Sequence, residues 1–167
     1  MTLDDLTVNF SHLKAKTILE DWYWFIGKNK LPILLTASGD AFVQDKKNLA
    51  IHFLDVSGGD FYQVAETIEE FNSLLGSKEF VTKYFSVQMV GELLQLGRKL
   101  EKGKVFSFKI LPMLGGKYEL SNVEETNIPV HYSVSGQIYQ QCHDLPDGAP
   151  IGNITLKQPR KWWKFWG

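Results

Sequence analysis

The sequence predicts an α+β fold in which an antiparallel β-sheet, a meander plus added strands, is flanked by helices in a single layer or at both ends of the sheet. Three observations predict it. Short period-two runs fill residues 31–65, helical spacing stands on either side of them, and residues 111–152 alternate glycine turns with a proline-started helix.

In the first segment, TILEDWYWFI at residues 17–26, Ile18, Trp22 and Phe25 or Ile26 recur at helical intervals. Gly27 follows, where a helix end favours a residue free to take positive φ. Trp22 to Phe25 are large and apolar in succession and cover more than one face, so this helix is expected between two packed layers. Next come LPILLTAS, AFVQDK, LAIHFLDV and DFYQVA, separated by Ser38-Gly39-Asp40, Lys46-Lys47-Asn48 and Ser57-Gly58-Gly59-Asp60. Glycine and asparagine accept φ > 0 at little cost, which makes these clusters hairpin turns and the whole a meander. The polar alternates Gln44, Asp45, His52 and Gln63 predict one wet face and one buried face.

Helical grammar returns at Thr67, which with Glu70 fits a capping box ahead of Ile68, Phe71, Leu74 and Leu75, with Gly76 as the stop. Ser77 starts a short helix, KEFVTKYF. Ser86 opens a longer one in which Met89, Leu93, Leu96 and Leu100 share a face, with Gly103 as its end. Residues 105–110 alternate and are expected to join the earlier sheet. Val130, Val134, Ile138, Cys142 and Leu145 then keep helical spacing behind Asn127 and Pro129, and Asp147-Gly148 closes the helix. Residues 151–156 predict a last short strand. Without internal repeats or linker-length Pro/Gly stretches, one domain over residues 1–156 is expected, followed by a basic-aromatic tail at 157–167.

Composition removes several function classes. With 44% hydrophobic and 22% charged residues in a chain of 167, the protein is globular. Eighteen Lys and Arg against nineteen Asp and Glu leave a net charge of −1, so no basic field is available to hold a phosphate backbone, and nucleic acid is not an expected partner. Cys142 is the only cysteine and cannot form an internal disulfide. MTLDDLTVNF lacks the basic leader and apolar run of a secretion signal, and no window approaches the ~18 apolar residues of a membrane span. A cytoplasmic protein without a transmembrane segment is expected.

Site chemistry is sparse. His12, His52, His131 and His143 stand in no H-x-x-x-H spacing and no C-x-x-C occurs, so neither a metal nor a cofactor is expected. Adjacent Cys142 and His143 diverge by ~100° on a helix, too far for a nucleophile and its base. Leu114-Gly115-Gly116 lacks the Lys-Ser/Thr ending of a phosphate loop and reads as a backbone turn. No catalytic residue is predicted, and the chain does not read as an enzyme. The C-terminus instead interleaves Trp162, Trp163, Phe165 and Trp166 with Arg160, Lys161 and Lys164. This mixture suits contact with another protein, peripheral contact with a membrane surface, or packing back onto the domain. Arg160, Lys161, Trp162, Trp163, Phe165 and Trp166 are therefore the candidate partner-binding residues, with the acidic turn positions Asp40, Asp55 and Asp60 as the second choice.

Specific motifs carry a resemblance. Leu114-Gly115-Gly116-x-Tyr118, Val130-His131-Tyr132-Ser133, Gly136-Gln137-Ile138 and Leu145-Pro146-Asp147-Gly148, together with Thr36 to Phe42 and His52-Phe53-Leu54-Asp55, resemble a bacterial domain linked to immunity proteins against type VI secretion DNase effectors. The motifs run from about Leu19 to Ile154. Better-known members carry a glutamyl-amidotransferase-associated-like domain ahead of this one, for which the chain is expected to have no room, so a stand-alone domain is expected. The resemblance implies a non-enzymatic binding protein that neutralises a cognate protein toxin by covering it. The other reading is a small-molecule binder or enzyme with a pocket between the sheet and the helix opened by Ser86, marked by converging His131, Tyr118 or Asp40.

Overall fold

The computed structural model describes residues 1–157. Its strands, in chain order, are β1 (Thr7–Val8), β2 (Lys30–Thr36), β3 (Ala41–Asp45), β4 (Ile51–Asp55), β5 (Asp60–Ala65), β6 (Lys104–Phe108) and β7 (Val123–Asn127). The α-helices are α1 (Ala15–Leu19), α2 (Tyr23–Ile26), α3 (Ile68–Leu74), α4 (Lys78–Tyr84), α5 (Val87–Gln95) and α6 (Ile128–Cys142). Strands β1 to β5 form one antiparallel sheet in sequence order, as the turn clusters predict. Pro32 sits inside β2 where the ladder to β3 slips between Pro32 and Leu34, an irregularity that accommodates its missing N–H.

Both faces of this sheet are buried, which corrects the expectation of one wet face. Phe42 and Phe53 face each other across β3 and β4 and pack with Phe71, Phe80, Tyr84, Phe85, Val90 and Leu93 of the α3–α5 region. On the opposite face Leu35, Ala41, Val43, Leu54 and Val56 pack with Ile18, Leu19, Trp22, Ile26, Ile128 and Tyr132. The strands therefore carry apolar side chains at odd and even positions alike; of the polar alternates, Gln44, Asp45 and His52 lie where β3 ends and β4 begins, and Gln63 lies on the edge strand β5. Trp22 is fully buried, and its indole Nε1 donates to the Tyr132 carbonyl oxygen at 3.0 Å. The first helical segment thus lies against α6, and a 3₁₀ turn at Glu20–Trp22 separates α1 from α2.

β6 does not join the large sheet. It pairs with β7, from Lys104 opposite Asn127 to Phe108 opposite Val123, and is linked to the meander region by Phe106 N–H donating to Ala37 O at 2.8 Å. α5 also departs from expectation: it stops at Gln95, Gly97 takes φ +77°, and Leu96 is exposed. The Gly97 and Arg98 amides close the helix by donating to Leu94 and Leu93, so the predicted stripe through Leu100 ends two turns early. Two of the caps read from the sequence make their side-chain bonds, whereas Asn127 ahead of α6 and Ser86 ahead of α5 make none. Thr67 Oγ1 accepts from Glu70 N–H at 3.1 Å, and Ser77 Oγ accepts from Phe80 N–H at 3.3 Å.

The predicted stripe on α6 is only partly the buried one. Of its members Ile138 is buried, whereas Val130, Val134 and Cys142 are half-buried and Leu145 is exposed. Polar and small residues fill the interior side instead: His131, Ser133, Ser135, Gly136 and Gln137 are all buried. Gly136 allows this, because α6 passes so close to the Asp21–Trp22 backbone that a Cβ there would lie 2.5 Å from Asp21 O.

Candidate functional site

The turn between β2 and β3 carries several buried side-chain hydrogen bonds. Thr36 Oγ1 accepts from Asp40 N–H at 3.0 Å and lies 3.0 Å from Ser38 Oγ, while Gly39 takes φ +86° at the tip. Asp40 points inward. Its Oδ1 accepts from Val56 N–H at 2.9 Å, tying the turn to the end of β4. Burial, reinforced by the nearby Asp55 carboxylate, holds the Asp40 carboxyl well above the usual carboxylate range, against the Val56 and Ser38 donors that favour its charged form.

α6 clasps the same turn from the other side. His131 is buried, its Nε2 lies 2.8 Å from Gly39 O, and burial pushes its pKa down to about 4. The imidazole is therefore neutral at physiological pH and donates Nε2–H to that carbonyl. Tyr132, fully buried, has its hydroxyl pushed well upward by burial and by Asp40.

Asp55 and Asp60 face each other across the β4–β5 hairpin. Asp55 Oδ1 is occupied by its own turn, accepting from Gly58 N–H at 2.7 Å and Ser57 Oγ at 3.0 Å. Asp60 is exposed. The fold thus gathers the three predicted aspartates at one end of the sheet, with Asp60 exposed, Asp55 half-buried and Asp40 buried.

Beside this end lies a cleft of about 570 Å³ between the meander and α5. Ser38, Asp40 and Ser57 form one wall, α5 with Thr82 and Ser86 another, and Phe108 with Tyr118 to Leu120 the third. Ser86 opens α5 with left-handed backbone, φ +49°. Glu92 accepts from Gln88 Nε2 at 2.9 Å, and Tyr118 stands edge-on to Phe108 at 5.2 Å. The third wall is held by Asn122, whose Nδ2 donates to Ile110 O and Lys117 O, both at 2.9 Å, around the turn that contains Gly115 and Gly116.

Residues 65–139 match the family model described as T6SS immunity protein Tdi1, C-terminal. This is the family that the sequence motifs resemble. The matched stretch runs from the end of β5 through α3, α4, α5, β6 and β7 into α6, and so supplies two of the three walls of the cleft as well as His131. No curated protein matches the chain. Among solved structures the fold is similar to the crystal structure of Atu4351 from Agrobacterium tumefaciens, with a TM-score of 0.55 and 14% identity over 75% of this chain and 65% of that one. At that identity the likeness is one of fold, and the present chain spans about 65% of the length of its neighbour.

Past the end of the matched stretch lies a feature that sequence reasoning missed. Residues 151–156 form no strand; an extended segment there is held by two glutamines of α6. Gln137 Oε1 accepts from Lys157 N–H and its Nε2 donates to Lys157 O at 3.2 Å, while Gln141 Oε1 accepts from Thr155 N–H at 3.1 Å and its Nε2 donates to Thr155 O at 2.9 Å. The i, i+4 spacing on a helix, ~6 Å, matches alternate residues of an extended chain, ~6.6 Å, so two side-chain amides act as rungs. Two glutamines four apart are the only sequence signal for it. The tail candidates Arg160, Lys161, Trp162, Trp163, Phe165 and Trp166 lie outside the described residues. No helix among the described residues is long and apolar enough to cross a membrane, and no group of three or more His, Cys, Asp or Glu among them is placed to hold a metal ion.

Proposed function

We propose that the protein is a type VI secretion immunity protein that neutralises a cognate bacterial effector by direct binding, without catalysis of its own, in the cytoplasm. The observation that carries this reading is the Tdi1 C-terminal match over residues 65–139. The polar chemistry of the site supports it. His131 is neutral and engaged with Gly39, and Asp40 is buried on Val56, so both hold the fold together. Residues 1–156 act as one domain, with the tail at 157–167 and the acidic end at Asp55 and Asp60 as contact surfaces, while Asp40, the third aspartate expected there, is buried. Co-expression with type VI effectors of the same genome tests this. Growth rescue by one of them together with a co-purifying complex is expected; growth arrest with no complex for every such effector overturns the reading.

The cleft favours a second reading, a small-molecule-binding protein, because Asp40 and Tyr118 line one cavity of a size that takes a ligand. Thermal-shift screening of metabolites separates the two: a stabilising ligand that leaves effector rescue absent supports it, and none that stabilises removes it.

A further inference from the structure

We propose that the cleft between the Ser38–Asp40 turn and α5 is the pocket into which the partner effector inserts a cationic side chain, arginine above all. The proposal rests on the immunity reading and gives it a location and a chemistry. The cleft's volume, about 570 Å³, lies within the ~300–1,000 Å³ range of pockets that enclose a ligand group. Its lining includes the acids Asp40, Glu92 and Glu119 and, among the described residues, no Lys, Arg or His. Asp40 is occupied by Val56 N–H, which leaves Glu119, and Glu92 beyond the one oxygen that accepts from Gln88 Nε2, as the carboxylates that can meet an incoming cation.

The same cleft is lined by an aromatic ring. Tyr118 is 69% exposed, fixed edge-on against Phe108, and flanked in sequence by Glu119. A guanidinium stacks on such a ring and presents a planar fork of donors to neighbouring carboxylates, which an ammonium does less well. The contacts that compete are weak: Gln88 Nε2 donates to one oxygen of Glu92 in an exposed pair, and Lys117 Nζ reaches Glu119 only at 4.0 Å with both side chains well exposed, so an arriving guanidinium displaces them at little cost. Val87, Met89 and Leu120 supply apolar surface for the methylene stem of the inserted residue.

The test uses the full-length protein and N-acetyl-arginine methylamide as probe, with N-acetyl-norleucine methylamide as the uncharged control, followed by NMR. Saturable shifts confined to the amides around Gln88 and Tyr118–Glu119 are expected for the arginine probe only. They should weaken at least fivefold in Tyr118→Ala and in the Glu92→Gln/Glu119→Gln double variant, whose melting curves report that both remain folded. Absence of saturation, an equal response to the norleucine probe, or indifference to both variants overturns the proposal. In a second arm, the effector that the protein rescues should bind the same variants at least tenfold more weakly. Equal binding overturns the cleft as the contact while leaving the immunity reading intact, and probe binding without any effector complex overturns the effector as the occupant.

Discussion

The imidazole Nε2 of His131 sits 2.8 Å from the carbonyl oxygen of Gly39, joining the first turn of α6 to the tip of a hairpin 92 residues away. One hydrogen bond therefore ties the last helix to the β2–β3 turn, which also holds Asp40 and one wall of the cleft.

Acid should loosen that tie. The folded pKa of His131 is about 4 against an ordinary value near 6.5, so between those values the unfolded chain takes up the proton and the folded one does not. The stability from keeping His131 neutral is present above pH 6.5 and lost as pH falls toward 4, a change of roughly 3 kcal/mol. In urea unfolding at pH 7 and pH 4, His131→Gln, which retains a donor to Gly39 and cannot ionise, should lose about that much less than the parent between the two conditions.

Asp40 titrates with the opposite consequence. Its folded pKa is raised, so its contribution is whole below the ordinary carboxylate value and is lost as pH rises through the folded value. Asp40→Asn should match the parent near pH 3 and exceed it at neutral pH, with Asn Oδ1 still accepting from Val56 N–H. Thermal melts across pH check this; a variant less stable than the parent at pH 7 contradicts it.

Two helical glycines should respond with opposite signs. At Gly136 a methyl group would meet Asp21 O at 2.5 Å and Trp22 Cδ1 at 3.0 Å, so Gly136→Ala must push α6 off its neighbour and should cost roughly 1–3 kcal/mol. At Gly91, inside α5, the new Cβ meets only Met1 side-chain atoms at 3.6 Å and beyond. Gly91→Ala should add about 0.5–1 kcal/mol by removing the conformational entropy of glycine. Chemical denaturation of the pair is the measurement.

Removing both rungs of the ladder should free the segment they hold. Gln137→Ala/Gln141→Ala is expected to make residues 150–157 the earliest site of limited proteolysis while melting temperature falls only slightly, because the sheet and its two packed faces make none of these contacts. Unchanged cleavage there would show that the segment is held by other means.

The meander, the caps at Thr67 and Ser77, and the proline-started helix were legible because each is a local code: turn formers between alternating runs, or a hydroxyl placed three residues ahead of an amide. What escaped depends on neighbours distant in sequence. Nothing local distinguishes a strand covered on one face from one covered on both, and Ala41, Val43 and Leu54 declare their second layer only when Ile18, Trp22 and Tyr132 arrive. The interior of α6 was misread because close approach selects small residues, and Ser133, Ser135 and Gly136 score as polar or neutral in any hydrophobic pattern. Of the site, Asp40, Asp55 and Asp60 are legible as turn acids and Asp40 and Tyr118 as markers of a pocket beside the Ser86 helix, but Glu92 and Glu119 join that cavity only through the packing of α5 beside the β6–β7 connection, and His131 lies outside its lining.

The amide rungs of Gln137 and Gln141 grip peptide groups and no side chain of the segment they hold. Such a grip has no spelling preference. Most non-proline residues fit at positions 155 and 157, so this stretch can drift in sequence from one relative to another while its path along α6 stays put. The fixed glutamines, rather than the letters they hold, are then the mark by which the same strapped segment would be found elsewhere.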